Sequence, residues 1–337
     1  MDSSPRAGTP GTARWRPLEV PDAAALAAMM YEVEATDREG RHLGVHEAAA
    51  WLAEPGLDLA NGSIAAFDAD LLVAFATLRS KTTSGPVRDL AHAAAVRPAH
   101  RGRGFGSRLL EWMPTGARAV QEARHCAGRS VEVLAVCAMS NTDSAQLYRS
   151  FGFEPVRRLD RMLRRLDRPA HDVGPLDGVE IVPYSEDRED EARRAKNEAF
   201  RSHRRSVPST PERWRRRTLR RPEFQPSLSF LALEAESRTV VGVVIVHWHA
   251  AQTEATGLRD AYVSSISTLP SHRRRGVAAA LLASVLDAAR GQGFDTSSLH
   301  VDAAGPDRAP ELYQKAGYAV AGSLVSYALT VEGANEP

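Results

Sequence analysis

Two stretches of this chain align without a gap, and that repeat limits the fold more than any other feature. One is Pro98-Ala99-His100-Arg101-Gly102-Arg103-Gly104-Phe105-Gly106; the other is Pro270-Ser271-His272-Arg273-Arg274-Arg275-Gly276-Val277-Ala278. An offset of about 170 residues means a duplicated domain, because solenoid periods run ~20–50 residues. Each copy follows a β-like run, Ala93-Ala94-Ala95-Val96 or Ala261-Tyr262-Val263-Ser264-Ser265-Ile266-Ser267. Each then opens a helix-like run, Ser107-Arg108-Leu109-Leu110 or Ala279-Ala280-Leu281-Leu282. A strand, a small-residue turn and a helix N-terminus in that order form an anion site. The first helical N–H groups have no partner within the helix, and the positive end of the helix dipole faces the turn. The arginines of the two turns are expected to add charge-assisted donors for phosphate. A small residue at Ala278 lets backbone approach a ligand closely.

The 337 residues fit two domains of roughly 100–200 residues each. A net charge of +1 removes the bulk electrostatic case for a nucleic-acid or membrane-surface protein. Cys126 and Cys137 make no disulfide framework and lack metal-ligand spacing, so both are expected reduced, in or near a core. No run approaches the ~20 apolar residues of a transmembrane helix. The first 14 residues have no apolar segment of the signal-peptide kind. The expectation is a cytoplasmic chain with no metal, no nucleic acid and no membrane partner, a homodimer being left open.

Residues 1–14 are expected as a disordered tail, 15–166 as a first domain, 167–178 as a linker marked by Pro169, Gly174, Pro175 and Gly178, and 179–331 as a second domain. In the first, strands are predicted at 15–18, 63–67, 71–78, 88–96, 131–136 and 154–163, with helices from 21, at 45–54, after the turn to 124, and at 144–150. The second repeats the order. Its strands fall at 179–183, 230–233, 240–247, 261–267, 298–301 and 319–330, and its helices at 187–201, 211–221, after the turn to 290, and at 309–315. Each half reads β-α-α-β-β-β-α-β-α-β, an α/β architecture with one mixed sheet and helices on both faces.

This order, with these turns, resembles the GCN5-related N-acetyltransferase (GNAT) family. Its motif Arg-x-x-Gly-x-Gly/Ala is met by Arg101, Gly104 and Gly106, and again by Arg273, Gly276 and Ala278. Its second box, Leu-Tyr-x3-Gly-aromatic, is met by Leu147-Tyr148-Arg149-Ser150-Phe151-Gly152-Phe153 and by Leu312-Tyr313-Gln314-Lys315-Ala316-Gly317-Tyr318. The tandem layout is similar to two-domain members such as the mycothiol synthases. The resemblance implies two tandem GNAT domains with acetyl-CoA as co-substrate. It puts the pyrophosphate at the turns 101–106 and 273–278, and the thioester arm along Ala95, Val96, Ile266, Ser267 and Thr268. Asn141 would hydrogen-bond that arm; Asp302 lies near the matching place in the second half. Tyr148 and Tyr313 match the family's proton donor to the leaving thiolate.

Acetyl transfer to an amine needs the amine neutral, so a base or water chain must take a proton. The second half offers Tyr262, Ser264, Ser265 and Ser267 on the strand before the turn, with Asp260 at its edge and His247 and His249 nearby. The first half offers Asp89 and His92. A relay with no dedicated base is the alternative. Direct attack by the amine in a ternary complex is the expected mechanism, with the second half the working one. A non-catalytic acyl-CoA sensor of the same fold is the rival. The arginines between Arg201 and Arg221 suit a solvated helix face, or the lining for an acidic or phosphorylated acceptor. Small-molecule amine, aminoglycoside, cysteinyl thiol-sugar precursor and protein N-terminus all stay open as acceptors.

Overall fold

The computed structural model describes residues 9–40, 42–80, 89–125, 128–170, 173–174, 176–201, 207–305 and 309–333. By packing, the chain divides into a first unit, Met1–Arg158 with Ser323–Pro337, and a second, Leu159–Gly322.

The first unit runs β1 (Arg14–Arg16), α1 (Ala23–Asp37), α2 (Val45–Leu52), α3 (Leu59–Gly62), β2 (Ser63–Asp68), β3 (Leu71–Ser80), β4 (Asp89–Val96), α4 (Phe105–Ala123), β5 (Val131–Ala138) and α5 (Thr142–Ser150). The strand β6 (Glu154–Arg165) follows and passes into the second unit. That unit continues with β7 (Val179–Pro183), α6 (Glu189–Ala199), α7 (Pro211–Trp214), β8 (Phe230–Glu234), β9 (Val240–His247), α8 (Ala250–Thr256), β10 (Asp260–Thr268), α9 (Val277–Gly291), β11 (Thr296–Asp302) and α10 (Ala309–Lys315). The chain ends in β12 (Ala319–Val331).

In the first unit β1, β2, β3 and β4 pair antiparallel in that order, and β4 then pairs parallel with β5. The second unit repeats this with β7, β8, β9 and β10, and a parallel β10–β11 pair. The sixth strand of each sheet is exchanged. Residues 324–331 of β12 lie antiparallel on β5 in the first unit, and residues 159–165 of β6 lie antiparallel on β11 in the second. The packing units therefore differ from the contiguous stretches 15–166 and 179–331.

The exchange is fixed by burial. Met162 on β6 enters the core formed by Leu281, Leu282, Val285, Leu299 and Tyr318 of the second unit. Tyr327 and Val331 on β12 enter the core of the first, with Leu90, Val133 and Phe153. Arg164, also on β6, donates to the carbonyls of Ala316, Arg168 and Pro169, and its guanidinium lies against Gly317. Gly317 stands at φ 84°, where a side chain would be strained.

Helix faces follow their apolar spacing. α4 buries Phe105, Leu109, Leu110, Met113, Ala117 and Val120; α9 buries Val277, Leu281, Leu282, Val285, Leu286 and Ala289. β3 and β9 are buried almost throughout, as central strands covered on both faces are.

Several expectations differ in detail. Residues 9–13 of the supposed tail form a turn, with Thr12 N and Ala13 N both donating to Thr9 O, and Trp15 Nε1 donates to Pro10 O at 2.9 Å; residues 1–8 lie outside the described ones. The helix expected over 211–221 is a single α-turn continued as a π-turn, Arg215–Leu219. α3 and α8 were not anticipated. Cys137 is buried in the first core, and Cys126 lies outside the described residues.

Candidate active site

The two turns share one backbone. Gly102 and Arg274 both stand in the left-handed region, at φ 71° and 64°, and Gly104 and Gly276 follow at 89° and 84° as N-caps of α4 and α9. In α9 the first helical bond runs from Ala280 N to Gly276 O, which leaves the N–H groups of Val277, Ala278 and Ala279 outside the helical ladder. Arg108 N donates to Gly104 O, so Phe105, Gly106 and Ser107 are placed alike.

The arginines behave differently from expectation. Arg101 grips both Asp37 carboxylate oxygens, at 2.6 and 2.8 Å, and donates from Nε to Val96 O. Arg273 donates to Thr268 O and, at 2.8 Å, to Ala199 O. Both brace the turn against the strand before it and the unit's first helix. Arg275 donates to Asp177 O. Arg274 is exposed and has no partner among the described residues, so it is the guanidinium of the second turn that remains available to a phosphate. Arg103 is exposed as well.

Strand pairing gives each unit a cleft. Parallel pairing of β10 with β11 covers Asp260↔Thr296 to Val263↔Leu299 and goes no further. Leu269 N donates to Val241 O. In an antiparallel ladder residues two apart repeat that bonding, so Ser265 and Ser267 turn their backbone groups to β9 while Ile266 and Thr268 turn theirs away. Ile266 and Thr268 are thus the open backbone of the cleft, and Ser267 is committed to β9, its hydroxyl on Val243 O as well. The Thr268 hydroxyl is buried with no hydrogen-bond partner among the described residues. In the first unit, pairing stops at Ala91↔Leu134, and Arg97 N donates to Val73 O. The same alternation leaves Val96 and Ala94 open and turns Ala95 to β3. Asn141 uses its side-chain oxygen to cap α5 through Ser144 N at 3.1 Å, leaving its amide N–H₂ for a ligand.

The units part company on the sheet face opposite α9 or α4. β10 bulges between Val263 and Ser265, whereas β4 pairs with β3 without a shift. Bulges re-aim side chains and backbone beside active sites. Asp260 opens β10 at 4% exposure; the Thr296 hydroxyl donates to Oδ1 at 2.7 Å and the Ser298 hydroxyl to Oδ2. Two residues on, Tyr262 shares its face, with its hydroxyl 3.3 Å from His300 Nδ1 and its ring 6.2 Å from that of His249. Burial, then the Asp260 charge, raises the Tyr262 phenol above its ordinary value. Burial above all pushes His247 down to about 4, so it is neutral at neutral pH. In the first unit the matching register pairs are Asp89↔Glu132 and Ala91↔Leu134, where the second has Asp260↔Thr296 and Tyr262↔Ser298.

Asp89 and His92, three residues apart, fall on opposite strand faces. His92 lies on the α5 side, edge-on to Tyr148 at 6.2 Å. Burial pushes it down to about 4, and neither ring nitrogen has a hydrogen-bond partner among the described residues. Tyr148 is packed among Phe153 and Tyr327. Tyr313 differs: burial pushes its phenol up to about 12, and its hydroxyl has no hydrogen-bond partner among the described residues. Neighbouring Tyr318 is tied to Ser297 at 2.7 Å. Ser298 and His300 were not singled out from the sequence, although their alternation with Leu299 and Val301 was legible there.

Comparison with known proteins agrees with this geometry. The profile of the Acetyltransferase (GNAT) family matches residues 191–318, and that of an Acetyltransferase (GNAT) domain matches residues 61–155. A mycothiol acetyltransferase of Thermobispora bispora is 31% identical over 259 residues, 75% of this chain and 78% of that one. The chain belongs to the GNAT acetyltransferase family. A mycothiol acetyltransferase of Streptomyces coelicolor is 27% identical across 87% of each chain. A solved GCN5-related N-acetyltransferase from Sphaerobacter thermophilus superposes with a TM-score of 0.76 at 26% identity, over 98% of this chain and 99% of that one. A tandem GNAT protein from the clavulanic acid biosynthesis pathway shares the fold, at TM-score 0.72 and 13% identity over 96% and 100% of the two chains. As a tandem GNAT protein the chain is an acyltransferase, and acetyl-CoA is the co-substrate its family uses. No helix of the described residues is long and apolar enough to cross a membrane.

Proposed function

We propose that the chain transfers an acetyl group from acetyl-CoA to an amine in the second unit, by direct attack within a ternary complex. The observation that carries this reading is the face of β10 and β11. There β10 bulges and opens past Val263, following a paired stretch whose one face carries Asp260, Tyr262 and His300, while the first unit has Ala91 and Leu134 in the places of Tyr262 and Ser298. Pyrophosphate binds the first N–H groups of α9 with Arg274 beside them, and the thioester arm lies along Ile266 and Thr268. Outward N–H groups of β10 stabilise the oxyanion as the amine nitrogen bonds to the carbonyl carbon. The amine proton passes to Asp260 through water and the Tyr262–His300 pair. The C–S bond then breaks, and the sulfur leaves as a thiolate accepting a hydrogen bond from Tyr313. Asn141 and the turn of the first unit keep the features of a second co-substrate cleft, and its matching face keeps a carboxylate, Asp89, but has no counterpart of Tyr262.

The test is turnover of the full-length protein on an amine panel that includes the acceptor of a mycothiol acetyltransferase. One free CoA thiol per acetylated amine and intersecting double-reciprocal lines are expected. Parallel lines would replace direct attack with an acetyl-enzyme. Tight CoA binding with no turnover on any amine would make the chain a sensor.

A further inference from the structure

The first helix of the second unit, α6, carries a cation that meets no counter-charge among the described residues. Lys196 is half-buried on α6, its ammonium 5.5 Å from the Trp214 ring and 5.9 Å from the Phe200 ring. Among the described residues no carboxylate pairs with it. The neighbouring acids are taken: Glu189 by Arg215, Asp190 by Arg193 and Arg194, Glu191 by Arg188, and Glu198 by Arg201. Glu212 is held by the cap of its own helix, through Thr210 and backbone. Residues 202–206, Ser-His-Arg-Arg-Ser, contain no acid in their sequence. Burial first, then Arg213 and Arg217, lowers the Lys196 pKa, the signature of an ammonium desolvated beside like charges.

The surroundings are rigidly built. Asn197 clamps Ser209 by two hydrogen bonds, accepting from its N–H at 2.8 Å and donating to its carbonyl at 3.0 Å. Arg193 donates to the same carbonyl. Thr210 caps α7 by accepting from Arg213 N. The start of α7 is thereby fixed on α6, and the π-turn that follows it carries Arg217. The last carbonyl of α6, Ala199 O, accepts from Arg273 of the turn. Lys196 therefore lies one helical turn from the cleft end of the sheet.

We propose that Lys196, with Arg213 and Arg217 beside it, receives an anionic group of the acceptor, a carboxylate or phosphate carried in addition to the amine. A buried ammonium without a counter-ion is costly, and a ligand anion relieves that cost with charge-assisted hydrogen bonds. Because acetyl-CoA also carries phosphates, the assignment to the acceptor rests on the acetyl-transfer reading above.

The first experiment is independent of that reading. Inorganic phosphate is titrated into the full-length protein at low ionic strength, against sodium chloride at equal ionic strength, following the thermal midpoint. The unmodified protein is expected to be stabilised, Lys196→Arg to keep that stabilisation, and Lys196→Gln to lose a clear part of it, the rest belonging to phosphate at the turns that open α4 and α9. No stabilisation, or equal stabilisation of Lys196→Gln, overturns the site. A second arm compares acceptor pairs differing by one anion, glucosamine 6-phosphate with glucosamine and glutamate with glutamine. Lys196→Gln is expected to raise the KM of the anionic member about tenfold, the loss of one good contact. The KM of the neutral member and of acetyl-CoA should stay within about twofold on the same scale. A rise confined to acetyl-CoA gives the anion to the co-substrate and overturns the assignment to the acceptor.

Discussion

Tyr313→Phe is expected to lower kcat about 10²-fold or more and to leave the KM for acetyl-CoA nearly unchanged, while Tyr148→Phe stays close to the unmodified rate. The difference rests on surroundings, since both tyrosines occupy the same place in the repeated Leu-Tyr-x3-Gly-aromatic box. Burial holds the Tyr313 phenol protonated, at about 12. The departing CoA thiolate, whose thiol has an ordinary value of about 8.5, cannot take that proton outright without an uphill step. The phenol therefore acts by a hydrogen bond that strengthens as charge grows on sulfur, an interaction made in the transition state and not in the ground state. The loss should fall on kcat for that reason. The substitution keeps the ring that packs against Tyr318 at 6.1 Å and orphans no group, because the hydroxyl has no hydrogen-bond partner among the described residues. Unchanged thermal unfolding would confirm that only the hydroxyl is being tested. Steady-state kinetics with saturating amine give the answer; a collapse of activity in Tyr148→Phe alone would move the reaction to the first unit.

Asp260→Asn is expected to reduce kcat/KM for a basic amine by about 10²-fold, with a smaller loss for amines of lower basicity. Asp260 is a buried carboxylate on the same strand face as Tyr262, and two hydroxyls rather than a cation satisfy it. The amide keeps its shape and one acceptor oxygen, but presents N–H₂ to a hydroxyl that formerly donated. That mismatch costs on the order of 1–2 kcal/mol of stability, too little to unfold a domain of ordinary stability. An amine that arrives already neutral is spared deprotonation before attack and needs the base only for the proton shed after it, so the penalty should shrink as amine basicity falls. Initial rates across a series of amines of graded basicity test this. A uniform loss over the series would mean that Asp260 only holds Thr296 and Ser298 in place, and proton removal would then belong to the Tyr262–His300 pair.

Much of this was legible in the sequence because it is local. The gap-free repeat fixed two strand–turn–helix cradles, and the structure gives them matching left-handed residues at 102 and 274 and at 104 and 276. The alternation of β10 was equally plain. What stayed hidden depends on partners distant along the chain. A strand's sequence says which residues face a core, not which core. The exchange of β6 and β12 therefore left no mark in the sequence around Met162 or Tyr327 that names the partner strand. Arg101 and Arg273 looked like phosphate ligands, since nothing nearby in sequence reveals Asp37 or Ala199 O. The bulge at Ser264 sits in a run with no glycine or proline to announce it. The uncompensated charge of Lys196 becomes visible only when each acid around it is matched to an arginine or, for Glu212, to a helix cap.

The central claim is that acetyl-CoA is held for reaction in the cleft of the second unit. Amide hydrogen exchange of the full-length protein, with and without acetyl-CoA, tests it most directly. Slowed exchange is predicted at Ile266 and Thr268 and over the first turn of α9, at Val277, Ala278 and Ala279. Protection confined to Ala94, Val96 and the first turn of α4, with the second unit unchanged, would contradict it.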